Sequence, residues 1–136
     1  SESYRAVCLK DGGRVIGLLA LNSVESDGGL DLGHVFHTGY VGDDVDTEAL
    51  ECIIDAVFRE PGVQRVYCQN ALDWTAQLAP LKKLGLRIEA TGDGTDFFQR
   101  DENGDPITFV GCRMGIEKDE WERRGGQAAG QPTRSA

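Results

Sequence analysis

A few side chains have the types and spacing that chemistry needs. Asp31 and His34 stand in one apolar run, Leu30–Phe36, and His37 follows it. A carboxylate can act as a general acid or base, and an imidazole can shuttle protons near neutral pH. Each is equally an ordinary strand residue, solvated or hydrogen-bonded. Asp43, Asp44 and Asp46 crowd a glycine-containing loop. Such oxygens can hold a divalent cation, but the loop lacks calcium-loop spacing, and helix capping explains them as well. Asp101-Glu102-Asn103-Gly104-Asp105 is faintly calcium-like, yet its Asn-Gly pair is a hairpin-turn signal. Cys68 ends an apolar run without an identifiable activating partner, which favours a packed thiol over a nucleophile. Trp74 can line a pocket or simply pack.

Composition narrows the setting. The chain has 136 residues, a length expected of one domain, and a net charge of −9 from 14 basic and 23 acidic residues. That balance argues against binding nucleic acid through its phosphates and against docking on anionic membranes. No apolar run approaches the ~20 residues that span a bilayer. The start, Ser-Glu-Ser-Tyr-Arg, does not read as a signal peptide. Cys8, Cys52, Cys68 and Cys112 form no C-x-x-C pair. They are expected to be reduced, buried thiols of a cytoplasmic protein, without metal.

Those residues must be positioned by a definite order of elements. Tyr4–Lys10 and Arg14–Leu21 flank the turn Asp11-Gly12-Gly13 and read as a hairpin. Leu30–Phe36 is a third strand, with Leu30, Leu32 and Phe36 on one face and Asp31, Gly33 and Val35 on the other. The period then becomes helical: Leu50, Ile53, Ile54, Val57 and Phe58 share a stripe that ends at Pro61-Gly62. Asp44 or Asp46 is the expected cap. Gln64–Gln69 is a strand. A second helix, capped by Asp73 or Thr75, runs to Leu84 with Gly85 as its stop, and Pro80 should kink it or delay its start. Arg87–Ala90, Thr95–Arg100 and Ile107–Met114 are further extended segments. Gly125–Ala136 reads as a disordered tail after a domain over 1–124. The order β-β-β-α-β-α-β-β predicts a mixed α+β sheet, mostly antiparallel.

In this order the chain resembles the GNAT acyltransferase superfamily, especially its ribosomal-protein-acetylating (Rim-type) branch, from Tyr4 to Arg123. The resemblance rests on Val15-Ile16-Gly17, Asp31-Leu32-Gly33-His34, Thr47-Glu48-Ala49-Leu50, Val63-Gln64-Arg65-Val66-Tyr67, Lys82-Lys83-Leu84-Gly85-Leu86-Arg87, and the stretch from Arg113-Met114 to Glu120-Trp121. It implies a sheet whose third and fourth strands splay apart. It further implies acetyl-CoA as cofactor, with the backbone of Val35 and Phe36 against its pantetheine arm. The loop before the central helix would face its diphosphate. Asp31, or a water, would be the base for an attacking amine, with His34 at a position usually aromatic.

The sequence departs from the family in that loop. Where the family has a basic residue and two small ones, this chain has Val41, Asp44 and Asp46, around Gly42, Asp43 and Val45. Side chains at the small positions obstruct close backbone approach, and the carboxylates repel phosphates. Trp74 replaces an asparagine that assists the cofactor, and Gln77 replaces a serine. The family's first strand and two acceptor-pocket helices have no counterpart. Two functions follow: acyl-CoA-dependent N-acylation of a small-molecule or peptide amine, or a non-catalytic GNAT-like module that binds a partner or dimerises across the open sheet edge.

Overall fold

The computed structural model describes residues 3–42 and 44–129. Its six strands form a single sheet in the order β1-β2-β3-β4-β6-β5. They are β1 (Ser3–Cys8), β2 (Val15–Leu21), β3 (Gly29–Phe36), β4 (Arg65–Ala71), β5 (Arg87–Arg100) and β6 (Pro106–Glu117), with helices α1 (Val45–Phe58), α2 (Thr75–Lys83) and α3 (Lys118–Ala129). All neighbouring strands run antiparallel except β3 and β4. The expected α+β class is found, and the expected order β-β-β-α-β-α-β-β is followed by a third helix, α3, that it did not include.

Alternation explains the layering. On β3, Leu30, Leu32 and Phe36 are buried, whereas Asp31 and Val35 point to the other face. The buried side packs on Leu50, Ile54, Val57 and Phe58 of α1 and on Leu78 and Leu81 of α2. Each such side chain contributes about 1.5–3 kcal/mol by leaving water. The opposite face carries no helix among the described residues, and Tyr4, Leu18 and Val35 are exposed.

Several local expectations need correction. Arg87–Ala90 and Thr95–Arg100 are parts of one strand of 14 residues, β5, because β6 pairs with both through intervening glycines. Asp44 is the N-cap position of α1, but its side chain makes no cap hydrogen bond; Trp74 holds that position in α2, and neither Asp73 nor Thr75 caps it. Pro80 lies inside α2, with Lys82 and Lys83 in the last turn and Gly85 at φ 96° beyond it. Cys8 and Cys52 are exposed, and only Cys68 and Cys112 are buried; all four are free thiols.

Helix α3 has no periodic signal strong enough to announce it, and it starts within the sequence read as closing the domain. Trp121 anchors it: the indole is buried, packs on Phe58 at 6.2 Å between ring centroids, and donates to Asp55 Oδ1 at 2.9 Å. Arg124 lies over that ring and pairs with Glu51 at 2.7 Å. The helix carries the chain to Ala129, inside the stretch read as tail, and residues 130–136 lie outside the described ones.

Candidate active site

The decisive local feature is the junction of β3 and β4. The Gly28 carbonyl accepts the N–H groups of both Gln64 and Arg65, at 2.8 and 3.2 Å. Gly28 sits at φ 84°, and an added Cβ would lie 2.9 Å from Gln64, so glycine is required there. From this pin the two strands pair over Gly29–Asp31 and Arg65–Tyr67 only. Beyond Asp31, β3 continues to Phe36 while β4 turns to β6, and the strands part into a V. The β3 edge at Val35 and Phe36 therefore has no strand partner on the β4 side. A parallel pair that separates this way leaves backbone donors and acceptors for an extended ligand.

Asp31 and His34 leave opposite faces of β3. Asp31 stands at the apex of the V on the helix-free face, half-buried, with Gln69 Nε2 donating to it at 3.3 Å. Burial raises its carboxyl pKa, and nearby Glu25 adds to this against the lowering effects of Gln69 and Arg113. Tyr67 neighbours it on β4 and donates to the Glu25 carboxylate, a bond that pushes its hydroxyl up to about 12. Two guanidiniums lie over the Tyr67 ring: Arg65 at 4.8 Å and Arg113 at 4.9 Å.

His34 points to the helix side. Its Nε2 lies 3.3 Å from Asn70 Nδ2, a contact across the mouth of the V, and its Nδ1 is buried without a partner. Burial lowers its pKa, and the Asp46 charge opposes that. His37 instead caps the turn at Thr38–Tyr40, accepting from Gly39 N–H at 3.2 Å. Cys68 is fully buried, which pushes its thiol well up and leaves it inert.

The acidic loop is built differently from a ring of solvated carboxylates. Asp44 has φ 64° and ψ −20°, the left-handed region, at the position where the resemblance placed a glycine. Its carboxylate pairs with Lys83 at 3.2 Å. Asp46 is buried, and it turns back into the loop: Oδ2 accepts Gly42 N–H at 2.9 Å and Oδ1 accepts Thr47 N–H at 2.8 Å. Two backbone donors at a helix N-terminus, the groups that ordinarily take an anion, are thus held by a side chain of the same chain. Val41 is packed against the core and offers no charge. Asp43 lies outside the described residues. The loop at Asp101–Asp105 is a turn, in which Asp101 accepts from Asn103 and Asp105 N–H.

Two cavities flank the V, and Trp74 lines both. One, of about 480 Å³, lies between Thr38 and Val41 on one side and the start of α2 on the other. The second, of about 740 Å³, is a trough along β4, β6 and β5 that Trp74, at the start of α2, also lines. Its floor is of small residues, Ala71, Ala90, Gly92 and Gly111 among them. Gly94 lies beneath Phe109, whose ring a Cβ would meet at 2.6 Å. Gln69 and Arg113, opposite each other in register, form one polar wall, and Asp93 and Asp96 of β5 add carboxylates to the lining.

The sequence reading missed Gln69, Tyr67 and Arg113. Alternation along Gln64–Gln69 places Tyr67 and Gln69 on one face. Their meeting with Arg113 depends on β4–β6 register, which no local pattern displays.

Residues 1–87 match the Acetyltransferase (GNAT) domain family. The chain belongs to the GNAT acetyltransferase family. Solved GNAT-type structures share its fold: a spermidine N-acetyltransferase from Vibrio cholerae (16% identity, TM-score 0.69, 91% of this chain and 70% of that one); a ribosomal-protein alanine acetyltransferase from Vibrio fischeri (18%, TM-score 0.68, 87% and 62%); and a GNAT-family acetyltransferase from Bacillus anthracis (16%, TM-score 0.66, 85% and 66%). The chain therefore spans about two thirds of the length of these relatives. No curated protein matches it.

GNAT proteins generally use acetyl-CoA, and the site fits that cofactor at one end only. The open V suits a pantetheine arm. The loop does not suit the diphosphate, because Asp46 already occupies two of its N–H groups and places a negative charge among them.

Proposed function

We propose that this chain acylates an amine, with the acceptor approaching on the helix-free face beside Asp31. The observation that carries this reading is the V itself, with a half-buried carboxylate at its apex. A carboxyl whose pKa is raised by burial is a better proton acceptor toward an ammonium than an ordinary aspartate. Gln69 donates to it from the neighbouring strand at 3.3 Å. The acyl donor in this reading is a thioester lying along the V, and the loop at Gly42–Thr47 gives its distal end no grip.

A second reading is favoured by Asp46: a GNAT domain that binds a ligand or a second chain without transferring an acyl group. The two part on one experiment. The purified chain is incubated with acetyl-CoA, and separately with acetyl-pantetheine, against a panel of amines, and free thiol is followed. Under the first reading both donors react, and Asp31→Asn lowers turnover by about 10²–10⁴-fold, the usual worth of a positioned base. No thiol release from either donor at millimolar concentrations would favour the second reading.

A further inference from the structure

The trough along β4, β6 and β5 contains a guanidinium without an ion-pair partner among the described residues. Arg113 stacks on Tyr67, is half-buried, and lines the cavity. Its Nε is buried without a hydrogen-bond partner, and no ion pair reaches it among the described residues. The comparison with Arg65 is direct. That guanidinium lies on the same ring and is held by both oxygens of Glu89, at 2.7 and 3.0 Å. The chain carries 23 acidic residues against 14 basic ones, so carboxylates are abundant. Asp31 is the acidic neighbour whose charge Arg113 feels, yet it takes the Gln69 amide instead. A partly desolvated guanidinium with its fork unfilled is a receptor for a planar carboxylate.

The remaining walls define what the carboxylate is attached to. Trp74, Phe98 and Phe109 border the trough, and its glycine and alanine floor admits a flat body close to the sheet. Gln69 joins the polar wall to Asp31, where an ammonium would be matched.

We propose that the trough binds an amine bearing a carboxylate and an aromatic or apolar body, the chemistry of an aromatic amino acid, with Arg113 reading the carboxylate. This rests on the amine-acylation reading for its consequence, since it names the acceptor class, but binding itself needs no acyl donor. Asp93 and Asp96 of β5 also line the trough and would attract an ammonium, so a polyamine, which sets a second cation against Arg113, is the competing ligand the test must exclude.

The test is a titration of the full chain, without donor, followed by Trp74 fluorescence and by calorimetry. The probes are L-phenylalanine, phenylpropionate (no amine), phenethylamine (no carboxylate) and spermidine. Phenylalanine should bind best. Arg113→Gln should weaken phenylalanine and phenylpropionate by about 10–100-fold, the loss expected for a charge-assisted bidentate pair, and leave phenethylamine unchanged. Arg113→Lys keeps the charge but not the fork and should lose part of the affinity. Unchanged thermal melts separate these effects from misfolding. Equal binding of phenylalanine and phenethylamine, preferential binding of spermidine, or phenylalanine affinity indifferent to both variants would overturn the assignment. Transfer to other amines alongside such a result would leave the acylation reading standing; phenylalanine binding without thiol release from either donor would do the reverse.

Discussion

Replacing Asp46 with alanine should open the loop to a diphosphate. The carboxylate is buried and accepts N–H groups from Gly42 at 2.9 Å and Thr47 at 2.8 Å. Hydrogen bonds to a charged group are worth about 1.5–3 kcal/mol each, and a diphosphate seated here would have to do without both. It would also meet the carboxylate at close range, where two unit charges ~4 Å apart repel by about 4 kcal/mol at a near-surface dielectric. Reorganisation and salt reduce that sum, so we expect a net gain of about 3 kcal/mol, roughly 100-fold in affinity for acetyl-CoA. The assay is calorimetric titration of the wild type, Asp46→Ala and Asp46→Asn with acetyl-CoA, with ADP and with acetyl-pantetheine. Acetyl-CoA and ADP should gain, and acetyl-pantetheine should not. Asp46→Asn, which removes the charge but keeps an acceptor, should fall between. Without ligand, Asp46→Ala should cost about 3–6 kcal/mol in urea denaturation through the two lost bonds. If the three proteins bind acetyl-CoA and ADP alike, the account of a self-filled loop is wrong.

Other substitutions test neighbouring parts of the argument. Asp44→Gly should relieve left-handed strain at φ 64°, while losing the surface pair with Lys83; we expect a net stabilisation of up to about 1 kcal/mol in denaturant titrations. Burial lowers the folded pKa of His34 below the ordinary 6.5, against the Asp46 charge. As pH falls below that ordinary value the unfolded chain takes the proton first, and stability is lost until the folded pKa is passed. Unfolding free energies at about pH 7.5 and about pH 5 should therefore converge more closely in His34→Gln than in the wild type. Trp121→Ala should cost about 3–5 kcal/mol, because it empties the seat of α3 and leaves Asp55 without the indole N–H. A loss below about 1 kcal/mol in the denaturation midpoint analysis would mean that α3 contributes little to the fold.

The sequence by itself determined the order of elements, because hydrophobic periodicity is a local property: Leu50, Ile54, Val57 and Phe58 declare a helix wherever they go, and alternation on Leu30–Phe36 already put Asp31 and His34 on opposite faces. The aspartates at positions 44 and 46 were equally visible, and their conflict with a phosphate follows from charge alone. What they do instead was decided only in three dimensions. Backbone at Gly42 curls so that its N–H meets Asp46, and Lys83, far along the chain, arrives to hold Asp44. The trough likewise needed register: Gln69 stands opposite Arg113, and Glu89 reaches Arg65 but not Arg113, only because β4, β6 and β5 pair as they do. Helix α3 is the same lesson, since one buried indole, not a periodic stripe, fixes it. Local patterns set which residues face the core. Long-range pairing sets which polar groups find partners, and the functional questions about this protein turn on those that are filled from within and those, at His34 and Arg113, that are left open.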